Sequence, residues 1–398
     1  MTAVSKPRVM QLVLSLSPGG TERLVIEIVR ALAGRIDSVI CCLDEPGAWA
    51  SELERLHVPV IALGRAPGFQ PSLAMRLARI IKQRGIDVVH CHHYSPYVYG
   101  LLASVLAPSV KLIFTEHGKL SDAGPSRKRR LVNPFLSQWP GHLCAVSSDL
   151  KQHMVAEGFP ARRLSVVYNG VEPGRRPAMM QRHDARAALG IANDAFVAGT
   201  VGRLDPVKNL PLLLLAHARL VAQLPSARTV IIGGGSERAA LEAKAAELGI
   251  AESVIFAGHR QDVRFLLPAF DVYVNCSSYE GVSLTILEAM ASALPVIATP
   301  AGGNPEVVID QETGLLVAPG AAALAEAIGS LARDPRRRHV LGDAGRWRVK
   351  KHFSIARMVE QYASLYFRGR HADSATPPMT APATADAMSV SDATRSFV

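Results

Sequence analysis

Short apolar, β-branched runs alternate with longer amphipathic ones along most of the chain, a pattern that predicts parallel strands crossed by helices. Strand-like runs fall at residues 8–15, 38–43, 58–63, 87–91, 111–115, 143–147 and 165–168. A second series follows at 196–201, 229–233, 253–257, 271–276, 295–299 and 315–317. Two α/β units of Rossmann-like layout are therefore expected, over residues 1–172 and 185–352. Between them Asn169-Gly170 signals a turn, and residues 173–184 are polar and basic without a sustained period, which reads as a linker. A last amphipathic helix is expected within 353–369, where Ile355, Met358, Val359, Tyr362 and Leu365 recur at three- and four-residue steps. Residues 370–398 turn to Ala, Thr, Ser, Pro and Met, a composition that predicts a disordered tail.

Composition narrows the function classes. A chain of 398 residues is long enough for two cores, and 48% hydrophobic with 20% charged residues describes a globular protein. The longest apolar stretch, 210–224, is interrupted by His217, Arg219 and Gln223 and is too short and polar to span a membrane. Lys6, Pro7 and Arg8 lead straight into the first strand without an apolar signal core, so a cytoplasmic location is expected. Five cysteines without a CxxC pair predict buried thiols, not disulfides or a zinc site. The excess of 44 Lys and Arg over 34 Asp and Glu favours anionic partners. Nucleic acid is disfavoured among them, for want of a recognition motif and with only 6% aromatic residues for stacking.

Candidate chemistry gathers where strands end and helices begin, the edge at which α/β folds bind ligands. The most informative stretch is 277–291, with Glu280 and Glu288 about two helical turns apart. Gly281 would let backbone N–H groups approach a ligand, and a helix starting near Ser283 would aim its positive end at a phosphate. The two carboxylates suit hydroxyls at two places on one ligand, as in a sugar nucleotide. Gly202-Arg203-Leu204-Asp205-Pro206-Val207-Lys208-Asn209 follows the first strand of the second unit and offers a planar fork and a point charge, a pair suited to a diphosphate. Gly19-Gly20 opens the first helix of the first unit but makes no GxGxxG fingerprint, which argues against a dinucleotide oxidoreductase. His117, in Thr115-Glu116-His117-Gly118, stands at a strand end, where it could bind a sugar hydroxyl or steady charge near a reacting carbon. His90, His92 and His93 cluster nearby, yet strand alternation turns His93 away from the other two and no carboxylate is adjacent, so no metal site is expected.

Gly19-Gly20, Thr115-Glu116-His117-Gly118, Val167-Tyr168-Asn169-Gly170-Val171, Gly202-Arg203 with Lys208-Asn209, and Glu280 with Glu288 together make residues 8–368 resemble the retaining glycosyltransferases of family 4. The resemblance implies the GT-B fold: two Rossmann-like domains facing each other across a cleft, with a C-terminal crossover helix packing on the first. It implies candidate catalytic residues Glu280, His117, Arg203 and Lys208. Donor binding would fall to Arg203 and Lys208 at the diphosphate, Glu288 at the ribose and Glu280 at the sugar. Backbone N–H groups of Gly281, Val282, Ser283 and Leu284 would meet the phosphates and sugar, with Gly19 and Gly20 nearby. Gly233, Gly234, His259 and Arg260 would lie around the base and ribose. The implied donor is a UDP- or GDP-sugar and the acceptor a glycan or lipid-linked sugar of a bacterial surface or exported polysaccharide. Arg203 and Lys208 would replace a divalent metal; the chain has no DxD sequence, and neither metal nor other cofactor is expected.

The basic run Ser126 to Arg130 precedes Leu131, Val132, Phe135, Leu136 and Trp139, which fits either a solvated helix or peripheral contact with anionic lipid. Rival readings are a phosphorylase or epimerase of the same fold, or a non-catalytic subunit that binds a sugar nucleotide.

Overall fold

Every strand pairing in both sheets is parallel in the computed structural model, which describes residues 6–119, 124–139, 141–174 and 176–367. The expected tail at 370–398 lies outside the described residues. The first sheet contains β1 (Arg8–Val13), β2 (Asp37–Cys42), β3 (Val60–Ala62), β4 (Val88–His92), β5 (Lys111–Glu116), β6 (His142–Ala145) and β7 (Leu164–Val166). Their order is β3-β2-β1-β4-β5-β6-β7. The second contains β8 (Val197–Val201), β9 (Arg228–Ile232), β10 (Val254–Gly258), β11 (Val272–Asn275), β12 (Val296–Ala298) and β13 (Gly314–Leu316), in the order β10-β9-β8-β11-β12-β13. Strand order reverses between β1 and β4 and again between β8 and β11. Loops part at such a switch point and leave a crevice at the carboxyl ends of the strands.

Helices cover both faces, so the central strands are buried throughout and their apolar runs are continuous, not alternating. Polar residues inside these strands are therefore informative. Gln11, His90, His92 and Thr115 are all fully buried in the first sheet. The five cysteines are free and buried, and burial pushes the thiols of Cys41, Cys42 and Cys276 up to about 12, leaving them protonated and hydrophobic in character.

Residues up to Asn169 form one compact unit together with the helix Ile355–Phe367, and Gly170–Ser354 form the other. That last helix buries Met358, Val359, Tyr362, Ala363, Leu365 and Tyr366. Its docking is reinforced by Arg35 to Glu360 at 2.8 Å and by Lys111 Nζ, which donates to the Leu365 carbonyl at 2.6 Å.

The stretch expected as a linker is different. A helix, Met179–Ala188, begins inside it and belongs to the second unit. Its anchor is charge and not an apolar stripe, which is why hydrophobic periodicity gave no sign of it. Arg182 and Arg186, one turn apart, grip the two oxygens of Asp271 at 2.7 and 2.9 Å. Asp271 Oδ2 also accepts from the Val197 N–H at 2.8 Å. The buried Arg186 guanidinium is completed by donation to the carbonyls of Ala269, Ala192 and Asn193. A fully hydrogen-bonded fork of this kind offsets the desolvation that otherwise disfavours a buried charge.

Candidate functional site

Three loops at the carboxyl edge of the second sheet assemble around Glu280. The loop after β11 carries it; its carboxylate is nearly buried and Oε1 accepts from Lys208 Nζ at 2.6 Å, Ser277 Oγ at 2.7 Å and Asn275 Nδ2 at 3.1 Å. The loop after β8 brings Lys208. Its backbone is tied to the Glu280 loop by Ser278 N donating to the Val207 carbonyl and by the Cys276 thiol, 3.3 Å from the carbonyls of Lys208 and Asn209. The loop after β12 supports the other side: Gly303 N donates to the Glu280 carbonyl at 3.0 Å, and Thr299 Oγ1 donates to the Ser277 carbonyl at 2.7 Å. Gly302 has φ +54°, and a Cβ there would lie 2.0 Å from the Glu280 carbonyl oxygen, so this contact admits only glycine. Buried Asn304 joins Asn275 to the Thr299 carbonyl.

Lys208 and Arg203 line one shallow depression with Gly202, Thr200 and Ser277, but they are held differently. Lys208 is fixed on Glu280. Arg203 is 72% exposed and, among the described residues, reaches only its neighbour Asp205, at 3.1 Å, so it can swing toward an incoming anion at little expense.

Gly281, Val282 and Ser283 are buried and lead into the helix Leu284–Ala291, whose N-cap Ser283 makes no side-chain cap. The Ser283 hydroxyl instead lies 3.2 Å from Thr285, which accepts from the buried Tyr273 hydroxyl at 2.7 Å. First-turn N–H groups thus take no cap from Ser283 and suit an anion. Leu284 opens that turn, and Glu288 stands half-buried in the next.

Two residues expected around a base and ribose have close neighbours within the protein. Gly233 has φ +149°, and a Cβ on it would fall 1.8 Å from the Gly202 carbonyl oxygen, so it serves the close packing of the β8 and β9 loops. Arg260 is paired with Asp262 at 2.6 and 2.8 Å. His259 is exposed beside Gly234.

The carboxyl edge of the first sheet carries a second polar cluster. His117 Nε2 lies 2.9 Å from His92 Nδ1, and His92 Nε2 lies 2.8 Å from Gln11 Oε1. Burial, and then the neighbouring imidazoles, hold His90, His92 and His117 well below the usual histidine range, so all three are neutral. His93 corrects the expectation drawn from the sequence. It does leave the strand face of His90 and His92, but a carboxylate is adjacent: Glu116 Oε1 is 3.0 Å from His93 Nδ1, while Nε2 is 2.9 Å from the Thr21 hydroxyl. Burial pulls the His93 pKa down, but the hydrogen bond and charge of Glu116 lift it above the ordinary value. Its backbone, at φ 73° and ψ 164°, occupies a region otherwise left to glycine, at a cost of about 1–3 kcal/mol. Such a conformation persists only where the surrounding structure over-determines it.

Gly19 stands at the N-cap of the helix Gly20–Ala31 with extended backbone that any residue adopts. What occupies the space where its side chain would be is the Glu22 carboxylate, and that flexible group can move aside for a ligand.

Sequence reasoning missed Asn275, Ser277, Cys276, Gly302, Asn304, Thr21, His93 and Gln11. One signal was present. Ala301-Gly302-Gly303 sits between a strand and a helix, as Gly19-Gly20 does.

Two family models match the chain: one described as Glycosyltransferase Family 4, over residues 18–175, and one as Glycosyl transferases group 1, over residues 181–348. The putative glycosyltransferase EpsD of Bacillus subtilis is 31% identical over 79% of this chain and 84% of its own length. The Escherichia coli UDP-Gal:alpha-D-GlcNAc-diphosphoundecaprenol alpha-1,3-galactosyltransferase is 26% identical over 73% of this chain and 77% of its own. Among solved structures, Anabaena Alr3699/HepE in complex with UDP and glucose is 25% identical, with a TM-score of 0.81 over 90% of this chain and 98% of its own.

The buried histidines set a pH dependence. His90, His92 and His117 bind protons more weakly folded than unfolded, and so does His217, which burial lowers to about 4. Their contribution to stability is complete above the unfolded value, about 6.5, and is lost as pH falls below it. His93 acts in the opposite sense, with stability present at low pH and lost as pH rises through its folded value. The lowered group is the larger. The thermal unfolding midpoint is expected to fall between pH 7 and pH 5, with a loss of about 1.4 kcal/mol per pH unit for each proton taken up on unfolding. A midpoint unchanged over that range contradicts neutral burial.

Proposed function

The chain belongs to glycosyltransferase family 4, and from that premise we propose a retaining, metal-independent hexosyltransferase. Its donor is a UDP- or GDP-sugar and its acceptor a glycan or lipid-linked sugar of a bacterial surface or exported polysaccharide. The E. coli enzyme is named for UDP-Gal and the Anabaena structure holds UDP, which makes uracil the first base to test.

One observation carries the reading: a nearly buried carboxylate, a lysine and a helix start without a side-chain cap share one sheet edge. As the bond from the anomeric carbon to the diphosphate lengthens, negative charge grows on the departing oxygens. Lys208 and the N–H groups of residues 281–284 meet that charge from fixed positions and Arg203 swings in to join them, the role a divalent metal plays elsewhere. The acceptor hydroxyl attacks the same face of an oxocarbenium-like carbon, and its proton passes to the departing phosphate. Glu280 is a poor nucleophile here, because Oε1 already takes three donors. It is well placed to accept from hydroxyls of the transferred sugar through Oε2. Glu288 accepts from the ribose, and His117 meets the sugar.

The helix Arg127–Leu136 supports peripheral contact with an anionic membrane from a cytoplasmic location. It leaves Leu131 and Phe135, one turn apart, 73% and 72% exposed, beside exposed Val132, Trp139, Arg127, Lys128 and Arg130. Among the described residues no helix is long and apolar enough to cross a membrane.

With UDP-glucose or GDP-mannose and chelator present, the protein is expected to release nucleoside diphosphate as the sugar passes slowly to water in place of the acceptor, and Lys208→Ala is expected to slow release roughly a hundredfold to a thousandfold. Undiminished release by the variant contradicts the role of Lys208; donor binding without turnover would favour a non-catalytic subunit. In flotation with phosphatidylglycerol vesicles, the protein is expected to float at low salt and to be released by high salt or by Leu131→Glu with Phe135→Glu. Absence from the vesicles at low salt removes the membrane contact.

A further inference from the structure

Behind His117 runs a continuous buried chain of hydrogen bonds that ends on the C-terminal helix. His117 Nε2 meets His92 Nδ1 at 2.9 Å, and His92 Nε2 meets Gln11 Oε1 at 2.8 Å. Gln11 Nε2 donates to the Tyr366 hydroxyl at 3.2 Å, that hydroxyl lies 2.7 Å from His90 Nδ1, and His90 Nε2 lies 2.8 Å from Thr115 Oγ1. Gln11, His90, His92 and Thr115 are fully buried, and Tyr366 is 2% exposed. Water therefore does not compete along the chain.

A neutral imidazole has one N–H and one bare nitrogen, so each link dictates the next. With the Gln11 oxygen on His92, His92 must carry its hydrogen on Nε2 and present a bare Nδ1. His117 must then donate from Nε2, and its own Nδ1 is bare. In the other direction Tyr366 accepts from Gln11 and donates to His90, which donates to Thr115. His117 Nδ1 is the open end of the chain: it is buried and has no hydrogen-bond partner among the described residues. A buried polar atom left unmatched in an otherwise satisfied network points to a ligand group that completes it.

We infer that Tyr366 is a positioning residue for His117: through Gln11 and His92 it keeps His117 Nδ1 bare, as an acceptor for one hydroxyl of the bound sugar. The inference rests on the reading that His117 meets the sugar. Its asymmetry comes from Gln11. Without the Tyr366 hydroxyl, the present amide orientation strands a buried N–H pair. The flipped orientation strands only a carbonyl, which is the cheaper orphan. Loss of the hydroxyl therefore turns Gln11 over, moves the hydrogen of His92 to Nδ1 and that of His117 also to Nδ1. The acceptor becomes a donor.

The test is the nitrogen-15 spectrum of the full chain labelled in histidine, with His117 assigned through His117→Gln. In the unmodified protein the bare nitrogen of His117 is expected to be Nδ1. In Tyr366→Phe it is expected to be Nε2, with binding of UDP-glucose weakened about tenfold, the worth of one hydrogen bond, and binding of UDP unchanged. Glu360→Ala, which loosens the same helix by removing its ion pair with Arg35, serves as the structural control and is expected to leave the His117 tautomer as it is. An unchanged tautomer in Tyr366→Phe, or the same change in Glu360→Ala, overturns the relay. The underlying reading fails separately: if His117→Ala binds UDP-glucose and UDP as the unmodified protein does, His117 does not meet the sugar, whatever its tautomer.

Discussion

Parallel pairing is the constraint from which the rest follows. Parallel strands can be joined only by crossovers, so every strand in a sheet ends at the same edge and every loop that leaves it starts there. Gly19 and Gly20, His93 and His117 follow β1, β4 and β5 at one such edge, with His92 closing β4, while Lys208, Glu280 and Gly302 follow β8, β11 and β12 at the other. Residues 72 positions apart, such as Lys208 and Glu280, then come within 2.6 Å because the two strands are neighbours. No long-range guidance beyond strand order is needed.

Charge at these edges is handled in two ways. In the second sheet the Glu280 carboxylate is matched by an ammonium, an amide and a hydroxyl, a rigid acceptor whose supports are themselves buried or tied to backbone. In the first sheet burial removes the charge, and three imidazoles persist as neutral groups joined by directional bonds. The first arrangement suits the stabilisation of growing negative charge, the second the recognition of hydroxyls, whose donors and acceptors must be matched.

Much of this was legible in the sequence, and what was not has physical causes. Strand runs were visible because strands covered on both faces are continuously apolar. Lys208, Glu280 and His117 were visible because polar residues directly after such runs stand out. The helix Met179–Ala188 was hidden because its anchor is the pairing of Arg182 and Arg186 with Asp271, and charges on a helix give no apolar period. The carboxylate beside His93 was missed because its partner Glu116 comes from the neighbouring strand and not from nearby sequence. Gly233, expected near a ligand, also packs closely on the Gly202 backbone. Sequence shows that glycine is present, not which neighbour demands it.

The central claim is that the carboxyl edge of the second sheet binds a nucleoside diphosphate through Lys208 and Glu288. The most direct measurement is calorimetric titration of UDP and of GDP, with chelator present, into the protein and into Lys208→Ala and Glu288→Ala. The account predicts selective binding of one of the two nucleotides, weakened in both variants. Failure of either nucleotide to bind, or affinity unaltered by both substitutions, would contradict it.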